Sequence, residues 1–212
     1  MRIIGAVAFF MSCGIVCYAQ KLPNKQEASL WAPTNLEIDG RPREWNDKFQ
    51  AYNHSTEIYY TIANDDKNIY LTVQAVSPRI IEKIISGGVT LLIKPLTGKN
   101  DIEVIYPILP IAIGHTIIRN SGGMTSAHPP IPGAPTYLTD TLYKPSLLPS
   151  DSLKGVANLQ LIQNANTIGV KGIGEIEDSE ISIYNENGIK AASAFDHSGA
   201  YTLELALYNY TF

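Results

Sequence analysis

"EIYYTIANDDKNIYLTVQA", running from Glu57 to Ala75, is the stretch on which the fold reading turns. In its first half Ile58, Tyr60 and Ile62 fall on one face of an extended chain. In its second half Ile69, Leu71, Val73 and Ala75 share a face, and Tyr70, Thr72 and Gln74 share the other. Successive side chains of a strand point to opposite sides, so this alternation predicts two strands. Between them "NDDKN" offers the Asn and Asp residues that close turns by bonding their own backbone. The expectation is an antiparallel hairpin.

Outward from the hairpin, "SPRIIEKIISGG" changes period. Ile80, Ile81, Ile84 and Ile85 recur at helical spacing, with Ser77 and Pro78 suited to a helix start and Gly87 or Gly88 to its stop. "VTLLIKP" and "DIEVIYP" read as a further strand pair joined by "LTGKN". At about 107–149 the pattern dissolves into a long irregular loop containing "GGMTSAHPPIPGAP", because Pro and Gly interrupt its apolar runs. "DSLKGVANLQLIQNA" reads as a helix with Leu153, Val156, Ala157 and Leu161 on one side. "TIGVKGI", "EISIY", "IKAASAF" and "AYTLELAL" read as closing strands, with "NENG" and "DHSG" as turns. Many short strands separated by turn signals argue for a mainly β, antiparallel β-sandwich with one or two short helices, as a single domain over 36–212.

The amino terminus has a different composition. Arg2 precedes the apolar run "IIGAVAFFMSCGIVC", and Ala19 supplies a small residue before Gln20. That order predicts a cleavable signal peptide over 1–19 and a secreted, periplasmic or cell-surface protein. Residues 20–35 read as a polar leader. Both cysteines, Cys13 and Cys17, lie in the signal, so the remainder holds neither a disulfide nor a thiolate site. The formal net charge is −4, and removing Arg2 makes the mature chain one unit more acidic. With no basic patch, nucleic acid is not an expected partner. No later stretch is long and apolar enough for a membrane-spanning helix.

"IDGRPREW" (Ile38–Trp45), a Tyr-rich strand, "NDDKNIYLTVQA", a helix and "VTLLIKP" together resemble the opening of carbohydrate-binding module family 9-like domains. These sit within the DOMON-like group of immunoglobulin-type β-sandwiches, and the later segment "VKGIGEIEDSEISIYNENGIKAASAFD" looks like one found in exported bacterial relatives. The residues that carry the resemblance are Asp39, Gly40, Trp45, Asp65, Asp66, Tyr70 and Leu71. It implies an immunoglobulin-like sandwich and makes Trp45 a structural anchor packed at one end of it. It also implies a strand after "AYTLELAL". Because only "YNYTF" follows here, the expectation is an open sheet edge and weak self-association.

Family 9 modules clamp sugar between tryptophans, whereas this chain has only Trp31 besides Trp45. Tyrosines are the available substitutes: Tyr106, Tyr137 and Tyr143 first, Tyr137 and Tyr143 because they flank the long loop, then Tyr52, Tyr59 and Tyr184. Haem ligation, known in some DOMON-like domains, would fall to Met124 and to His54, His115, His128 or His197, without an attachment motif. Calcium is the one cofactor that the acidic turns at Asp65, Asp66 and Asn68 and at Glu175, Glu177, Asp178 and Glu180 suggest. Neither has a recognised calcium-loop spacing, and solvated turns are the plainer reading. "DHSG" at Asp196–Gly199 is a turn rather than a triad, since triad members converge from different segments. No catalytic residue is assigned. The expected function is exported, non-catalytic binding of a polysaccharide or glycan. The alternative is a structural or protein-interaction domain contacting a cell-envelope protein.

Overall fold

The computed structural model describes residues 21–46, 48–95, 100–121 and 150–208 of the chain. Among these it is mainly β, with ten strands in two sheets. The larger sheet holds β1 (Leu30–Trp31), β2 (Ala51–Asn53), β3 (Ile58–Asn64), β4 (Asn68–Ala75), β9 (Ile189–Phe195) and β10 (Tyr201–Tyr208). The smaller is a meander of β5 (Val89–Ile93), β6 (Ile102–Tyr106), β7 (Thr167–Lys171) and β8 (Glu180–Ser182). All pairings are antiparallel except that of β1 with β3.

The β3–β4 hairpin forms in the register its alternation demands, with Ile62 opposite Leu71 and Tyr60 opposite Val73. Asp65 closes the turn by accepting the Lys67 and Asn68 amides, each at 2.7 Å. The inner faces of the two sheets share one core, including Leu71 and Val73 from β4, Val104 from β6, Ile168 from β7 and Leu203 and Leu205 from β10. The opposite face of β10 is buried as well: Thr202, Glu204 and Ala206 are all inaccessible.

β10 lies between β4 and β9, paired along its length with both. This corrects the expectation of an open edge at the last strand. β9 and β10 form a hairpin whose second strand inserts beside β4, so the apolar character of "AYTLELAL" reflects a central strand buried on both faces. The stretch read as a leader is also part of the sheet. β1 pairs with Ala63 and Asn64, and Ala32 is buried.

Three α-helices are described, one more than the upper sequence expectation. α1 (Pro78–Gly87) buries the four isoleucines that predicted it. α2 (Ile111–Asn120) occupies the start of the segment expected to be irregular. Pro110 stands before its first turn, where a missing amide costs nothing. Gly114, Ile117 and Ile118 form its buried face, so tertiary packing outweighs the poor propensity of the glycine. The rest of that segment, 122–149, lies outside the described residues. α3 (Ser150–Asn164) buries Ala157 and Leu161. α1 packs against α2 and β4, α2 against α3, and α3 against β9.

Two side-chain amides act as missing strand partners. On β3, between the rungs paired with Ala51 of β2 and Leu30 of β1, Gln26 receives the Ile62 amide at 2.8 Å and donates to the Ile62 carbonyl at 2.7 Å. On β9, Asn158 of α3 receives the Phe195 amide at 2.7 Å and donates to its carbonyl at 2.9 Å. Asn158→Ala is expected to leave both Phe195 groups without these partners and to lower stability by about 1–3 kcal/mol. Asn158→Leu should cost a similar amount, so that a denaturation midpoint unchanged in both would show that water replaces the amide freely.

Candidate functional site

The outer face of the larger sheet is partly covered by a strap formed, apart from β1, by residues 21–46 and 48–50. Its firmest attachment is the "IDG" turn. Gly40 has φ +78°, a conformation that L side chains avoid, and a Cβ there would lie 2.6 Å from the Ala194 nitrogen and the Ser193 carbonyl carbon. The turn therefore lies flat on β9. Glu204, on the outward face of β10 and wholly inaccessible, accepts the Asp39 amide at 3.1 Å and the Gly40 amide at 3.0 Å through one carboxylate oxygen. Its other oxygen lies 3.4 Å from the Thr72 hydroxyl. Burial pushes the Glu204 carboxyl up to about 7 despite the two amides, and the nearby Asp39 and Glu44 carboxylates push in the same direction.

Beyond the turn, Asp39 accepts the Arg41 amide at 2.9 Å and pairs with Arg43. A single 3-10 turn, Pro42–Trp45, then aims the indole at the sheet. Trp45 is 8% exposed and packs with Ala32 and Ala63, bordered by Leu30, Leu36 and Tyr70. A tryptophan in a polar stretch is thus the strap's apolar contact with the outer face of the sheet, rather than with the inter-sheet core. The signal for Glu204 in the sequence is a lone carboxylate among the apolar residues of "AYTLELALY".

Where the strap and the sheet part, an open groove of about 950 Å³ remains. Its floor follows one rung of the sheet, on which Tyr52 lies opposite Tyr59, Tyr59 opposite Gln74 and Gln74 opposite Thr202. Tyr59 and Gln74 line the groove, and the Gln74 amide is held by the Thr202 hydroxyl at 3.1 Å. The strap contributes Phe49 and Gln50 on one side and Lys21, Leu22 and Pro23 on another, together with Glu27 and Lys48. Tyr59 is the centre of an aromatic row, with ring centroids 5.8 Å from Phe49 and 4.6 Å from Tyr52; His54 extends the row, 4.9 Å from Tyr52. A half-buried aromatic ring beside fixed amides can stack on an apolar face and bond hydroxyls, which are the two contacts a pyranose offers.

Of the residues favoured for binding, Tyr106 is placed away from the groove. Tyr106 is 3% exposed inside the inter-sheet core, where its hydroxyl donates to the Ala165 carbonyl at 3.1 Å. It presents no ring face to solvent, and burial raises its phenol. This corrects its candidacy: "DIEVIYP" puts Tyr106 on the same face as Ile102 and Val104. Tyr137 and Tyr143 lie outside the described residues, as do Met124 and His128. Tyr184 is exposed on the loop after β8.

The Asp65 carboxylate is taken up by its own hairpin, accepting the Tyr70 hydroxyl at 2.7 Å besides the two turn amides. Burial works against ionisation there, but these bonds hold the carboxyl below its ordinary value. Asp66 is exposed beside it, as are Glu175, Glu177, Asp178 and Glu180. Among the described residues no three His, Cys, Asp or Glu side chains are grouped to hold a metal. No helix among them is long and apolar enough to cross a membrane. No family model, no curated protein and no solved structure matches this chain.

Proposed function

We propose that this chain is an exported, non-catalytic binding domain that holds a saccharide in the groove between the strap and the larger sheet. The observation that carries this reading is the Tyr59–Gln74 rung, an aromatic ring and a tethered amide side by side on the floor of an open groove. Sugar rings present C–H faces that stack on aromatic rings and equatorial hydroxyls that amides can bond. An open groove on a rigid sheet suits a polymer that passes through it. Export rests on the signal-like order of residues 1–19 and the cysteine-free remainder.

The test is a glycan array and affinity electrophoresis on residues 20–212. Retardation by at least one polysaccharide is expected. Tyr59→Ala is expected to weaken binding at least about tenfold, the equivalent of losing about 1.4 kcal/mol, and to lower stability by about 1–3 kcal/mol through its contacts with Phe49 and Tyr52, so binding is compared at a temperature where both proteins are folded. If no polysaccharide is bound, the reading fails and the protein-interaction alternative takes its place. If Tyr59→Ala binds as the parent does, the site lies elsewhere.

A further inference from the structure

We propose, resting on the saccharide reading, that the groove selects an acidic saccharide and reads its carboxylate with Lys21 and Lys48. Both lysines line the groove, on different pieces of the strap. The piece carrying Lys21 is fastened beside β2 by the Tyr52 amide, which donates to the Pro23 carbonyl at 2.9 Å. The piece carrying Lys48 leads directly into Phe49 and Gln50, which line the same groove. Two cations therefore stand over an aromatic floor on supports tied to the sheet.

Among the described residues neither ammonium has a partner. The Lys21 and Lys48 side chains form no ion pair or hydrogen bond among the described residues, and the Lys48 amide donates to the Trp45 carbonyl at 3.0 Å. Glu27, the one carboxylate among the described residues lining the groove, forms an ion pair with neither of them. The groove is thus locally cationic on a chain whose formal net charge is −4. An anionic polymer is disfavoured over most of such a surface and drawn to this place on it. A neutral glycan would gain stacking and hydroxyl contacts but would leave both ammonium groups without a counter-ion. A uronic acid supplies all three contacts at once: its ring face to Tyr59, its hydroxyls to Gln50, Gln74 and Glu27, and its carboxylate to the lysines.

The experiment is calorimetric titration of residues 20–212 with oligomers of galacturonate, glucuronate and mannuronate. Each is supplied as the free acid and as its methyl ester, which keeps the ring and removes the charge. A sulfated oligosaccharide forms a separate arm. At least one free acid is expected to bind about tenfold more tightly than its ester, as two exposed charge contacts allow. That preference should shrink with added salt. In the double variant Lys21→Gln, Lys48→Gln the acid should fall to the affinity of the ester, while the ester itself is unaffected.

Equal affinity for acid and ester overturns the charge assignment and leaves the saccharide reading standing. Tighter binding of the sulfated oligomer than of every uronate overturns the carboxylate assignment. No binding of any oligomer, together with a blank array, overturns both.

Discussion

Trp45→Ala is expected to lower the free energy of unfolding by about 3–5 kcal/mol, the range for emptying a buried aromatic site. The indole is 8% exposed and rests on two alanines, Ala32 from the strap and Ala63 from β3. Alanines have no side-chain length with which to close the void, so little of the loss can be relieved by collapse. Trp45→Phe should cost less, because it keeps most of the apolar contact. The indole nitrogen has no hydrogen-bond partner, so phenylalanine forfeits none. Denaturant unfolding of the three proteins checks this. Because the strap also walls the groove, saccharide affinity should fall together with stability in Trp45→Ala. An alanine variant with an unchanged midpoint and lost binding would make Trp45 a binding platform and remove it from the list of anchors.

A second substitution probes the same attachment by overfilling it. Gly40→Ala would place a Cβ 2.6 Å from main-chain atoms of β9 while holding a positive φ. The obstruction is backbone, which cannot swing aside as a flexible side-chain end would. The strap must lift for the methyl group to fit.

What was legible in the sequence is the part set by local periodicity. Ile58, Tyr60 and Ile62 had to share a face, as did Leu71, Val73 and Ala75, because the strand period is two, and Ile80, Ile81, Ile84 and Ile85 had to share one because the helix period is near 3.6. What was not legible depends on which second surface each element meets. Thr72 and Glu204 alternate with apolar neighbours as solvent-facing residues do, yet the strap covers both. Nothing within β4 or β10 records that a segment more than 150 positions away along the chain from Glu204 lies on top of it. The same holds for Gln26 and Asn158, polar residues whose work is to complete ladders belonging to other segments. Tyr106 was misjudged for the converse reason. It ends the strand "DIEVIYP", and its own alternation with Ile102 and Val104 points to the core. For the groove, Tyr59 was among the tyrosines considered, but its pairing with Gln74 follows from strand register rather than from either residue alone.

The stability of the protein is expected to fall as pH rises from about 5 to 8, and Glu204 is expected to be the main cause. Its carboxyl is raised from the ordinary 4.5 to about 7 in the folded chain, first by burial and then by the neighbouring Asp39 and Glu44 carboxylates. Asp39 is itself paired with Arg43, which tempers its contribution. A raised acid pKa means that the folded state binds the proton more tightly than the unfolded state does. The stabilisation from that proton is complete below about pH 4.5, declines across the interval, and is gone above about pH 7, for at most about 3 kcal/mol. The neutral acid retains an oxygen for the Asp39 and Gly40 amides, whereas the carboxylate places a net charge where no solvent reaches. Glu204→Gln keeps the amide acceptor, offers a donor toward the Thr72 hydroxyl and never ionises. It should unfold at a nearly constant midpoint across this range and exceed the parent in stability at pH 8. Glu204→Ala should be less stable than Glu204→Gln throughout, because it leaves both turn amides without their acceptor. Chemical denaturation of the three proteins at pH 5, 6, 7 and 8 decides the matter, with buffers matched in ionic strength. A parent whose stability does not vary over the range, or a glutamine variant that keeps the parent's slope, would show that Glu204 is not the group that titrates.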